Sequence, residues 1–260
     1  MKVVIIGSGN VASVLGRLIK KAGHDIIQVV SRHAENAASL AAEVGGIAGN
    51  DKSAISREAD IYLVAVTDSA LSGIDHNCNF GEKLVVHTAG SVSIDELKDT
   101  SSNYGVLYPL QSLRKENPDL QLDIPLLIDG NTPETVAAIE KFASTISSTV
   151  VHTTDAQRLK LHVAAVFVSN FTNHLYTLAA DYCDKEGLDF QMLFPLIIET
   201  ALRLRNHLPS DMQTGPAARK DINTLDKHLR ELSVHPKLRN IYLKMSDSIM
   251  NYQAVTSMEK

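Results

Sequence analysis

Short, unbroken apolar runs alternate with helical periods through the first half of the chain. Residues 3–6 are wholly apolar and stop at Gly7, the pattern of a strand buried on both faces. Val14, Leu15, Leu18, Ile19 and Ala22 then recur at helical spacing, with Gly23 placed to close that helix. A second apolar run at 26–30 leads into an alanine-rich helix at 34–44, which ends at Gly45-Gly46. Strands are predicted again at 61–66, 83–87 and 104–108, the last stopped by Pro109. Thr67-Asp68-Ser69, after the first of these, supplies cap chemistry for a helix. Shorter strands at 125–128 and 149–152 flank a helix from about 134 to 146. Alternation of this kind implies an α/β fold, a parallel sheet covered on both faces.

Beyond His152 the pattern is helical only. Residues 155–186 hold neither glycine nor proline and are closed by Gly187, so one long helix is expected there. A second helical stretch covers 191–207, with Pro195 near its start. A third opens at Thr214-Gly215-Pro216, where proline's missing N–H costs nothing, and a fourth follows Pro236. The third carries Ala218, Ile222, Leu225, Leu229 and Leu232 on one face. Asp221 borders that face and Arg219 lies off it; a helix cap or an ion pair accounts for both. The domain boundary is therefore expected near 152, with residues 1–152 as the mixed domain and 153–260 as the helical one.

The first turn carries the chemistry. Gly7-Ser8-Gly9-Asn10-Val11-Ala12 is a G-x-G-x-x-A loop between a strand and a helix. Gly7 permits the tight turn, Gly9 lets the backbone approach a pyrophosphate, and Ala12 allows close packing of helix on strand. The helix N-terminus offers free N–H groups and a positive dipole end to phosphate. Together these predict a doubly wound, mostly parallel Rossmann sheet that binds a dinucleotide, followed by an all-helical domain. The second strand ends in Ser31-Arg32-His33, with no carboxylate to hold a ribose 2′-hydroxyl. A hydroxyl and a guanidinium suit a 2′-phosphate, so NADP is favoured over NAD. The alternative is that Arg32 is a solvated loop residue.

Composition bounds the rest. A hydrophobic content of 44% with 21% charged residues describes an ordinary globular chain, and the net charge of -5 argues against nucleic acid and anionic membrane partners. Cys78 and Cys183 form no disulfide framework and no metal-ligand spacing, so both are expected to be reduced. The chain enters a strand at once, without a signal peptide pattern, and a cytoplasmic protein is expected.

Between Leu161 and Ala180 there is no Asp, Glu, Lys or Arg. At ~100° per residue, His162, Ser169, Asn170, Asn173 and Thr177 share one arc, and Lys160 lies opposite. Such a helix is expected to be buried, with its polar stripe bonded to neighbouring helices or lining a substrate cleft. Ligands of a doubly wound sheet sit beyond the carboxyl ends of its strands. Val66-Thr67-Asp68, His87-Thr88-Ala89-Gly90 and Tyr108-Pro109-Leu110-Gln111 occupy such ends and could form the opposite wall, His87 and Thr88 beside the cofactor.

The glycine loop, Ser31-Arg32 and the all-helical second half resemble the pyrroline-5-carboxylate reductase and 6-phosphogluconate dehydrogenase-like superfamily. His87 to Gly90, His162 to Phe171, and Gly215-Pro216-Ala-Ala-Arg219-Lys-Asp221 are similar to a branch of oxidoreductases in which a Rossmann domain precedes a helical domain of unknown function. The resemblance implies that Ala65, Val66 and Thr67 run past the nicotinamide ribose. The helical half departs from the reductase proper, so no substrate is carried over. The expected activity is NADP(H)-dependent hydride transfer to or from a small C=O or C=N compound, with His162 and Asn170 polarising or protonating the heteroatom. A non-catalytic NADP(H)-binding sensor or scaffold is the rival, and a homodimer through the helical half is expected.

Overall fold

The computed structural model describes residues 1–71, 79–116 and 123–258. Cys78 lies outside them. In chain order the elements are β1 (Lys2–Ile6), α1 (Asn10–Lys21), β2 (Asp25–Val30), α2 (Ala34–Val44), β3 (Ile47–Gly49), β4 (Ile61–Val64), α3 (Asp68–Leu71) and β5 (Leu84–His87). They continue with β6 (Asn103–Pro109), β7 (Leu126–Gly130), α4 (Pro133–Ala143), β8 (Val150–His152) and α5 (Asp155–Ala165). A π-helical turn (Val166–Phe171) leads to α6 (Thr172–Lys185), α7 (Phe194–Leu202), α8 (Ile222–Glu231) and α9 (Pro236–Met258).

One eight-stranded sheet has the order β3-β2-β1-β4-β5-β6-β7-β8. Every neighbouring pair is parallel except β6 with β7, where Leu107 faces Ile128 across an antiparallel ladder. Alternation along β1 sends Val3 and Ile5 to one face and Val4 to the other. Val3 and Ile5 pack with Leu15 and Ile19 of α1 and Leu40 and Val44 of α2. Val4 packs with Tyr62, Val64, Leu71, Phe80 and Leu97. Each such side chain, fully buried, contributes ~1.5–3 kcal/mol, so the sheet is held from both faces. Among the described residues, no helix is long and apolar enough to cross a membrane.

The chain divides into two compact units, Met1–Asn170 and Phe171–Lys260. The change to all-helical content falls earlier, at His152, because α5 is tied into the first unit. Arg158 donates from its Nη2 to the Val92 carbonyl and, at 2.7 Å, to the Asp155 carboxylate. Thr154 and Gln157 cap α5 reciprocally.

Five expectations change. β3 was not predicted; it is three residues long and follows two glycines in left-handed conformation, Gly45 and Gly46. The long helix at 155–186 is interrupted by the π-turn at Val166–Phe171, which shifts every later side chain from its 100° position. That helix is also not buried: among residues 161–180 none is, and Val168 is 75% exposed. The third helix begins at Ile222 rather than Thr214, because Gly215 (φ 106°) and Lys220 (φ 54°) are incompatible with a continuous right-handed helix. Asp221 is its cap, accepting from the Thr224 N–H at 3.1 Å. Ala22, finally, is exposed past the end of α1, one residue before Gly23 turns the chain.

Candidate functional site

The glycine loop is built by close approach of two strand ends. Gly7 takes φ 124°, and a Cβ there would lie 2.0 Å from the Ala65 carbonyl oxygen. Its N–H donates to the Val30 carbonyl at 2.8 Å. Gly9 differs: a Cβ on it would meet nothing within 4 Å, so this side of the loop is open. Gly9 stands at the N-cap of α1 without a side-chain cap bond, and the first turn carries no acidic residue. The first N–H groups and the positive dipole end are therefore free to meet an anion on this open side. Val11 turns its side chain to the core, and Asn10 accepts from the Lys115 N–H at 3.3 Å, so both offer backbone here. The Ser8 and Ser31 hydroxyls meet at 2.7 Å, joining the loop to the tip of β2. Beside them Arg32 is exposed and, among the described residues, has no hydrogen-bond or ion-pair partner. An uncapped helix start, an open glycine and an unpaired guanidinium fit a dinucleotide phosphate with a further phosphate at the ribose.

The next strand ends close the floor. Ala65 is buried and donates to the Ile6 carbonyl at 2.7 Å, while Val66 is half-buried and Thr67 exposed. The Asp68 carboxylate accepts from the Ser91 hydroxyl, linking the segment after β4 to the one after β5. His87 is fully buried; its Nδ1 accepts from the Ala89 N–H at 3.1 Å, which puts the proton of the neutral ring on Nε2. Burial, and then the charge of Arg158, push its pKa down to about 4, so the ring is neutral at physiological pH. Thr88 is buried as well. What these two residues present toward a ligand is backbone.

Beyond β6 the polar groups converge. The Tyr108 hydroxyl lies 2.9 Å from His162 Nδ1, and the rings meet edge to face at 5.8 Å between centroids. Gly90 makes this possible: a Cβ there would lie 2.8 Å from both His162 Nδ1 and Tyr108 Cζ. Burial, then the negative charge of Asp68, raise the Tyr108 pKa, so the phenol keeps its proton well past neutrality. The pair opens on a cleft of about 450 Å³, whose walls include Leu110, Gln111 and Ser112 after β6 and Leu161, Val166, Val168, Ser169 and Asn170 from α5 and the π-turn.

The structure thus brings His162, Ser169 and Asn170 together but separates the rest of the stripe. Thr177 lines a different cleft, of about 790 Å³ in the second unit, with His174, Asp181 and His235. Two residues that carry the site were not singled out from the sequence. Tyr108 was visible only as part of a strand end. Arg158 resembles any solvated helix residue, yet it is 1% exposed. The available signal was Asp155 three residues before Arg158, a spacing that pairs them on one helix face.

Residues 2–90 match the family described as NADP oxidoreductase coenzyme F420-dependent, and residues 124–249 match a domain of unknown function, DUF2520. No match was found among curated proteins. The crystal structure of a "putative NADP oxidoreductase" from Bacteroides fragilis is 37% identical, covering 96% of this chain and 98% of that one at a TM-score of 0.87. A 1-pyrroline-5-carboxylate reductase from Streptococcus pyogenes is 15% identical over 96% of this chain and 98% of its own, with a TM-score of 0.66. A reductive aminase from Aspergillus terreus, solved with NADPH and ethyl levulinate, is 15% identical over the same shares, 96% and 98%, with a TM-score of 0.67. These last two share the fold.

Proposed function

The chain belongs to the NADP oxidoreductase family that the Bacteroides fragilis protein represents, and from that membership we propose a reductase of small C=O or C=N compounds. The observation that carries this reading is the Tyr108–His162 pair, 2.9 Å apart at the wall of a cleft beyond the strand ends. Gly7, Ser8, Gly9, Asn10 and Val11 hold the pyrophosphate through backbone N–H groups and the α1 dipole. Ser31 and Arg32 take the 2′-phosphate, and Ala65, Val66, Thr67 and the backbone of His87 and Thr88 run along the nicotinamide side. Bound NADPH supplies the hydride. The carbon of the substrate accepts it while the Tyr108 O–H gives its proton to the oxygen or nitrogen, and the phenolate regains a proton through His162. Asn170 orients the heteroatom with its amide. Burial keeps the Tyr108 phenol protonated at neutral pH, so its proton is there to be given.

The test uses wild type, Tyr108→Phe and His162→Ala with NADPH and a panel of ketones and imines, and includes coenzyme F420 as a hydride partner. Each variant is expected to keep NADPH affinity while kcat drops by ~10²–10⁴-fold, the range for a lost general acid. Tight NADPH binding by wild type with no turnover of any member assigns the protein to the non-catalytic sensor or scaffold class instead.

A further inference from the structure

The Tyr108–His162 pair is set among side chains without formal charge. Among the described residues lining the 450 Å³ cleft there is no Asp, Glu, Lys or Arg. Leu110, Leu161, Val166 and Val168 make its apolar share, and Ser169 and Asn170 add uncharged polar groups. The cation whose charge reaches Tyr108 is Arg158, and it is withheld: it is 1% exposed, with its Nη2 committed to the Val92 carbonyl and the Asp155 carboxylate. The other charge that reaches Tyr108 is the Asp68 carboxylate, which offers an anion no counter-charge. A carboxylate or phosphate placed against these walls finds no counter-ion among the described lining residues. An ester, an alkyl group or a ring in the same place gains burial against leucine and valine.

We propose that the substrate is an uncharged carbonyl or imine compound with an apolar substituent, and that keto acids, imino acids and phosphorylated compounds are excluded. This rests on the hydride-transfer reading, and it assigns the specificity to the cleft walls. The reaction is the two-electron reduction already described: hydride to carbon, the Tyr108 proton to the heteroatom, NADP+ released.

Matched pairs test it on the full-length protein: a keto ester against its keto acid, and a cyclic imine against the same ring bearing a carboxylate. With NADPH, kcat/KM is expected to be at least 100-fold higher for the neutral member of each pair. In parallel, calorimetry with NADP+ bound, where no hydride is available, is expected to give at least tenfold tighter binding of the neutral member. Gln111→Arg places a cation on the exposed cleft wall and is expected to shift both ratios at least tenfold toward the acid. Equal or better use of the acid, binding that favours the acid, binding of neither member, or ratios unmoved by Gln111→Arg overturn the proposal even where hydride is transferred. Preferential binding of the neutral member without turnover instead overturns the hydride-transfer reading and supports the ligand class.

Discussion

Two basic residues meet in the interior, and only one of them is charged. His87 stays neutral first because it is buried, and then because the permanent charge of Arg158 acts on it. Its pKa of about 4 in the fold lies below the ordinary 6.5. A depressed value means that stability from this residue is present above the unfolded value and is lost as pH falls toward the folded one, a window from about 6.5 down to 4. The full swing amounts to ~3 kcal/mol. Urea unfolding at pH 4.5 and 7 is expected to show His87→Asn losing less stability across that interval than wild type does. At the surface, Arg32→Ala is expected to weaken NADPH binding by ~1.5–3 kcal/mol, the worth of a charged hydrogen bond, while leaving NADH binding unchanged. Equal NADPH and NADH affinity in wild type removes the 2′-phosphate role. Arg32 was legible because the motif places it about 20 residues past the glycines. Tyr108 and the burial of Arg158 were not, since His162 and the Val92 carbonyl lie 54 and 66 positions away and no local spacing encodes either contact.

Among the elements, the glycine loop separates a folding role from a binding role at two neighbouring positions. Gly7→Ala combines a φ of 124° with a Cβ 2.0 Å from backbone oxygen and is expected to destabilise the protein by ~2 kcal/mol or more. Gly9→Ala meets nothing in the protein at an ordinary φ of -81°. It is expected to leave Tm within about a degree of wild type and still weaken NADPH at least tenfold, by filling the pyrophosphate's place. Thermal melts with and without NADPH compare the two. The apolar runs of β1, β4 and β5 were legible because a strand buried on both faces needs them continuous. The π-turn was not, since its wider hydrogen bonding leaves no period of its own in the sequence. Ser169 and Asn170, within that turn, line the cleft with His162, and Thr177 lines a cleft of the second unit.

At the scale of the whole molecule, the second unit leaves much apolar surface open. Phe194, Leu196, Ile198, Leu204 and Leu208 are 48%, 59%, 58%, 57% and 67% exposed. Soluble monomers rarely leave so many large apolar side chains uncovered, and closed twofold dimers are the commonest cover. Light scattering at micromolar concentration is expected to give twice the chain mass of 28.3 kDa, and a concentration-independent monomer mass removes the homodimer. The sequence-based expectation of a homodimer rests on another stretch, the uncharged residues 161–180. The borders of the sheet add a constraint on how copies can meet. β3 and β8, at its two margins, are each three residues long. So short a ladder gives an incoming strand little to register against, which guards a hydrophobic eight-stranded sheet from growing across molecules. Association is therefore expected through helices, whose backbone groups are already paired within each helix.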